Sequence, residues 1–171
     1  IGEYRNKPPL VAAVSVGRPD LAEMLLAAGA TWVPHDAFGI SIADSSAEAL
    51  DAFLALGMPL GLYGHYAAHR AAERGKLDTL AWLFANGVPM DVRDRDGDTP
   101  LMTAINHKNP RLPVWLLEAG ASISATNHKG RTPLMSAAIT GNKQMVERLL
   151  ELGVDKTITC NEGKTAWGHS K

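Results

Sequence analysis

Apolar residues along this chain fall into short clusters at helical spacing, not into the alternation of a half-buried strand. Leu80, Leu83 and Phe84 form one such stripe and Val146, Leu149 and Leu150 another, each at the i, i+3, i+4 positions that share one helix face. Both stripes stop at a glycine, Gly87 and Gly153, the residue type that most readily takes the left-handed conformation closing a helix. Between stripes lie polar segments rich in turn formers, such as Asp91-Val92-Arg93-Asp94-Arg95-Asp96-Gly97, which predict a hairpin-like finger with Gly97 at positive φ. The pattern predicts short antiparallel helix pairs separated by projecting loops.

The pattern repeats. Gly97-Asp98-Thr99-Pro100-Leu101-Met102, Gly130-Arg131-Thr132-Pro133-Leu134-Met135 and Gly163-Lys164-Thr165-Ala166-Trp167 place their threonines 33 residues apart, and Gly87, Gly120 and Gly153 keep the same period. Thr99 and Thr132 are suited to cap a helix whose first residue is proline, where no needed N–H is lost. Gly17, Gly75 and Gly141 fall nine residues after that position and suit the turn between paired helices. Pro8-Pro9-Leu10 starts a complete first unit ending at Gly29. In the second unit, Asp36-Ala37-Phe38-Gly39-Ile40-Ser41 reads as the start, but Ser41 precedes Gly57 by 16 residues instead of 21, and the missing five are assigned to its first helix or the turn after it. In the third, Tyr66 follows Gly57 by nine residues where intact junctions have twelve.

The 33-residue unit resembles the ankyrin repeat. Thr99-Pro100-Leu101-Met102-Thr103-Ala104 and Thr132-Pro133-Leu134-Met135-Ser136-Ala137 are similar to that family's T-P-L-H-x-A signature. The resemblance covers nearly the whole chain and implies an all-α solenoid of stacked helix-turn-helix units with projecting hairpin-like loops. It would form one domain over residues 1–171, with units near 3–35, 36–60 (shortened), 61–93, 94–126, 127–159 and a partial 160–171. It also implies protein recognition through finger tips and the exposed inner-helix face, with no chemistry and no cofactor of its own.

The repeat frame names the residues of that surface. It places Tyr4, Arg5 and Lys7, then Ala37, Phe38 and Ile40, then Leu62, Tyr63 and His65, then Arg95, Asp96 and Asp98, then His128, Lys129 and Arg131 at finger tips, with Glu73, Arg74, Asn106, His107 and Thr140 at inner-helix ends. The second and third fingers are apolar and aromatic where solvent-facing tips are ordinarily polar, which marks interface anchors. Phe38 and Tyr63 lead that set, although a collapse of the shortened unit would instead bury Phe38 as replacement core. The pinched segment over residues 36–66 is expected to break the curvature of the stack.

Charge and composition narrow the partner. The net charge is −1, which supplies no basic field for nucleic acid or anionic membrane. Residues 1–60 carry 3 basic and 7 acidic side chains and residues 61–171 carry 14 and 11, so the two parts differ in sign. No apolar run approaches the roughly 18 residues of a transmembrane helix, and the start shows no basic segment followed by an apolar one. One cysteine, Cys160, excludes an internal disulfide and is compatible with a reducing compartment; the compartment stays open, with the cytoplasm favoured. A chain running from Ile1 to just inside a sixth motif reads as a fragment, expected to be monomeric unless that truncated end pairs.

Chemistry finds little support. His65, His69 and Glu73 are spaced i, i+4, i+8 as metal ligands on one helix face would be, but His65 falls on a finger, and Tyr-Ala-Ala stands where a metalloprotease needs a glutamate. Gly163-Lys164-Thr165 lacks the upstream glycine of a phosphate loop, that position being Ile158. Cys160 has no histidine and carboxylate in phase with it. Trp32, Trp82, Trp115 and Trp167 read as packing between repeats. The expected function is a protein-interaction module or scaffold; the alternatives are an immunity or inhibitor protein that blocks a cognate enzyme through the notch at the shortened unit and, more remotely, a metal-dependent enzyme.

Overall fold

A computed structural model describes residues 8–32 and 36–169, and among these residues the secondary structure is helical, with no strand. The α-helices are α1 (Pro9–Ser15), α2 (Pro19–Ala27), α3 (Asp36–Asp44), α4 (Ala47–Ala55), α5 (Leu60–Arg74), α6 (Leu77–Ala85), α7 (Pro100–Asn106), α8 (Leu112–Glu118), α9 (Pro133–Thr140) and α10 (Lys143–Glu151), followed by a 3-10 turn over Trp167–His169. They form two compact units: α1 to α4 with most of α5 and α6, and α7 to α10 with the closing turn.

In the N-terminal unit α1 packs on α2 and α3, α2 packs on α4, and α3 and α4 pack on α6. The core is Leu10, Val14, Ile42, Leu50, Phe53, Leu80 and Leu83, all fully buried or nearly so. The predicted turns hold: Gly17 and Gly75 have φ of 64° and 71°, and Gly29, Gly57 and Gly87 take 89°, 80° and 90°.

Two expectations for this unit require correction. The second helix pair is complete, with nine residues in each of α3 and α4; counting back 21 residues from Gly57 reaches Asp36, so the five missing residues belong to the connection before α3, not to the helix. The third unit has no finger. Its α5 begins directly after Pro59 and runs for 15 residues, because a proline before the first turn leaves no N–H wanting and the residues after it continue the helical phase. Two glycines allow close packing here: a Cβ on Gly39 would lie 2.3 Å from the Tyr66 ring, and one on Gly64 would lie 2.5 Å from Val88.

In the C-terminal unit α7 packs on α8 and α9, and α9 on α10 and the 3-10 turn. Thr99 Oγ1 accepts from Met102 N at 3.4 Å and Thr132 Oγ1 from Met135 N at 3.3 Å, so both predicted caps form. The fingers form as well. Asp94 N donates to Asp98 O at 3.1 Å, Asn127 N to Arg131 O at 3.0 Å and Cys160 N to Lys164 O at 2.9 Å. Neighbouring fingers are tied by His128 N to Asp96 O at 2.9 Å and Asn161 N to Lys129 O at 3.0 Å. This ladder satisfies backbone groups that a loop must otherwise leave to water.

Candidate partner-binding surface

The anchors expected at the second and third fingers are core residues. Phe38 lies inside α3 and is fully buried, and Tyr63 lies inside α5 with 3% exposure. Their rings stack with centroids 4.6 Å apart, and Trp32 closes on Phe38 at 5.6 Å, a spacing at which aromatic pairs attract beyond their buried area. Burial raises the Tyr63 phenol above its ordinary pKa. The connection before α3 is five residues shorter than at the intact junctions, and these rings are stacked in the core beside it. Ile40 is half-buried in α3. Tyr4, Arg5 and Lys7 lie outside the described residues, and so does the side chain of Ala37.

What α5 presents to solvent is Leu62 and His65 of the expected set together with Tyr66. Leu62 is 61% exposed and Tyr66 is 38% exposed, one helical turn apart. The Arg70 guanidinium carbon stands 5.8 Å from the Tyr66 ring centroid, within range of a cation–π attraction. His65 is exposed beside them; it sits in the helix, not on a finger. His69 of the same helix is buried. Among the described residues no three His, Cys, Asp or Glu side chains approach closely enough to hold a metal ion. Leu62 is exposed as the repeat frame expects, though on a helix and not a finger; Tyr66 and Arg70, which follow it at i+4 and i+8, carry a signal in their spacing once the helix start is placed at Leu60.

The fourth and fifth fingers sit where the spacing puts them. Asp94 Oδ1 accepts from Asp96 N at 2.9 Å and Asp98 N at 2.8 Å, and Asn127 Oδ1 accepts from Lys129 N and Arg131 N, each at 2.9 Å. One side-chain oxygen thus shapes each finger. Arg95, His128 and Lys129 are exposed at the tips, and Arg131 is partly exposed. Asp98 turns inward: its carboxylate accepts from Asn127 Nδ2 at 2.7 Å and from Asn106 Nδ2 at 3.1 Å, so it braces the finger against α7. Arg74 and His107 are exposed. His107 Nδ1 lies 2.9 Å from the carbonyl of Thr103, which requires an Nδ1–H donor, while Nε2 faces Glu73 at 3.8 Å.

Around the last finger, Lys164 Nζ donates to Glu162 at 2.8 Å and Arg131 stands 3.9 Å from the same carboxylate. The lysine hydrogen bond and charge, with a smaller share from Arg131, hold Glu162 below the usual glutamate pKa. Cys160 occupies the position of Asp94 and Asn127, but it is not without a histidine: His169 Nε2 lies 3.3 Å from its buried thiol. Of the four tryptophans, Trp82 donates to Asp51 at 2.6 Å and Trp32 to Leu56 O at 3.3 Å, whereas Trp167, expected to pack, is 58% exposed.

Helix pairs phased at 33 residues, proline-started inner helices and hydrogen-bonded fingers agree with a comparison against protein families, in which the model for ankyrin repeats in three copies matches residues 40–127 and 68–160. The chain belongs to the ankyrin repeat family. No curated protein matches it. Ankyrin repeats mediate protein–protein interaction and are typically non-enzymatic, and no described helix is long and apolar enough to cross a membrane. The first unit and the start of the second precede the matched span.

Proposed function

We propose that this ankyrin domain is an interaction module or scaffold that recognises a partner protein through the open face of α5, with the polar finger tips Arg95, His128, Lys129 and Arg131 as a separate polar surface. The observation that carries the reading is the row Leu62, Tyr66 and Arg70. Aromatic residues and arginine are the types that dominate interface energetics when desolvated, and here Leu62 and Tyr66 stand exposed on one helix with a partly exposed Arg70 over the Tyr66 ring. The rigid backing of the Trp32, Phe38 and Tyr63 cluster limits the ordering that binding would require.

The inhibitor alternative relied on a notch at the shortened unit, and that part of the chain is occupied by the aromatic stack. A pull-down with mass spectrometry, comparing the wild-type domain with Leu62→Asp and Tyr66→Ala, tests the reading. Loss of a captured protein from both variants, at unchanged thermal stability, supports it; retention of that protein by both sinks it. Assay of any partner enzyme in the purified complex separates scaffold from inhibitor, since a scaffold leaves activity intact.

A further inference from the structure

Along the chain the fourth and fifth fingers read as mixed in sign, with Asp94, Asp96 and Asp98 beside Arg95, Lys129 and Arg131. In the fold two of the three aspartates are engaged internally. Asp94 Oδ1 is taken up by the backbone of its own finger, accepting from Asp96 N and Asp98 N. Asp98 accepts from Asn127 Nδ2 at 2.7 Å and from Asn106 Nδ2 at 3.1 Å. The fifth finger, residues 127–131, contains no acid, because Asn127 fills the role of Asp94 with a neutral side chain. The edge left facing solvent is Arg95, His128, Lys129 and the partly exposed Arg131, and Asp96 is the one exposed carboxylate within these two fingers.

Lys129 and Arg131 are poorly neutralised. Among the described residues no carboxylate comes within ion-pair distance of Lys129. Arg131 has Glu162 at 3.9 Å, beyond hydrogen-bond length, and that carboxylate accepts from Lys164 at 2.8 Å. The Arg131 Nε–H is buried with no acceptor among the described residues, a donor whose desolvation is uncompensated. The backbone that carries these cations is fixed from both sides. His128 N donates to Asp96 O at 2.9 Å, while Asn161 donates through its N to Lys129 O at 3.0 Å and through Nδ2 to His128 O at 2.9 Å. The His128 ring lies against Gly97, where an added Cβ would stand 2.7 Å from it. A partner that meets this edge therefore finds its backbone already ordered.

We infer that this edge binds an acidic segment of a partner protein, with one carboxylate of the segment on Arg131 and a second beside Lys129. A guanidinium offers a planar fork that matches a carboxylate bidentately, and the neighbouring ammonium adds a less directional charge. The inference rests on the reading of the domain as a protein-binding module, but it uses no residue of α5. Nucleic acid fits the edge less well, because residues 94–98 and 127–131 include no Phe, Tyr or Trp on which bases could stack.

An amide NMR titration of the full chain tests it, with a synthetic peptide of alternating glutamate and serine as the probe and its glutamine counterpart as the control. The glutamate peptide is expected to shift the amides of residues 95–98 and 127–131, less so as salt rises, and the glutamine peptide to leave them unmoved. Arg131→Gln is expected to weaken binding about tenfold, as for a hydrogen bond to a charged group. Lys129→Ala should weaken it about threefold, as for an exposed ion pair. Arg131→Lys, which keeps the charge and loses the fork, should fall between the two. Spectra unchanged away from the fingers show that each variant is folded. Shifts spread over lysines and arginines elsewhere on the chain overturn the inference, and so does peptide binding that Arg131→Gln leaves intact. A uridine oligonucleotide that displaces the peptide and binds the same amides more tightly overturns it in favour of RNA. Leu62→Asp should leave the titration unchanged, so a titration that fails while Leu62→Asp still loses a captured protein removes the finger site alone.

Discussion

The two units of this ankyrin domain solve the same connection problem with different materials. In the C-terminal unit each helix pair is followed by a finger whose backbone is closed by its own hydrogen bonds and tied to the next finger by one more. In the N-terminal unit the connection between α4 and α5 shrinks to residues 56–59, and aromatic rings replace the ladder. The difference teaches that a repeat tolerates loss of its loop when apolar volume can be buried in exchange, since burial is non-directional whereas a ladder depends on register. It also moves the exposed side chains. Where fingers exist, exposed side chains stand at their tips; where they do not, the exposed row lies along a helix.

The largest effect should come from the aromatic side of this contrast. Phe38→Ala empties a fully buried, stacked site and is expected to cost ~3–5 kcal/mol, measured by urea denaturation; a cost under ~1 kcal/mol would mean that the rings do not hold the shortened unit together. The ladder comes next. A Cβ on Gly97, at φ 79°, would stand 2.8 Å from the backbone nitrogen of His128, so Gly97→Ala should lose ~2–3 kcal/mol by combining left-handed strain with a blocked inter-finger bond. Gly29→Ala has φ 89° but open space around the added carbon, and should lose only about 1 kcal/mol. Equal losses at the two positions would break the distinction between ladder and simple turn.

Smaller effects sharpen the picture inside the C-terminal unit. Lys108 holds φ 55° at the repeat position where Gly75 and Gly141 supply the turn, so Lys108→Gly is expected to stabilise by about 0.5–1 kcal/mol, read as a raised melting temperature. The least effect is electrostatic. Glu162 is depressed by its Lys164 hydrogen bond, so its contribution is present above the ordinary glutamate range and lost as pH falls through the lowered value. Lys164→Ala should move the Glu162 carboxyl NMR titration back up toward that range, with little change in stability because both groups are exposed.

Much of the fold was legible without coordinates. The caps of Thr99 and Thr132, the left-handed glycines and the fingers at Asp94 and Asn127 all follow from residue types whose preference is local. The shortened segment was misread because Phe38, Gly39, Ile40, Leu62 and Tyr63 suit either an exposed apolar loop or a buried helix, and periodicity over so few residues does not separate them. Tyr66 and Trp167 were missed for a related reason: on the repeat frame Tyr66 falls at the helix-capping position of Thr99 and Thr132 and Trp167 at a packing position, and exposure depends on what lies beside them.

Local chemistry in the sequence thus determined the period, the helix starts, the turns and membership in a repeat architecture, because capping, proline and glycine act within a few residues of themselves. Tertiary structure alone decided which aromatics are core and which face water, that Asp98 braces α7 while Lys129 stays free at a tip, and that the thiol of Cys160 meets His169. Those outcomes depend on neighbours brought together from distant or irregularly spaced segments, and burial is set by that assembled surface, not by the residue that is buried.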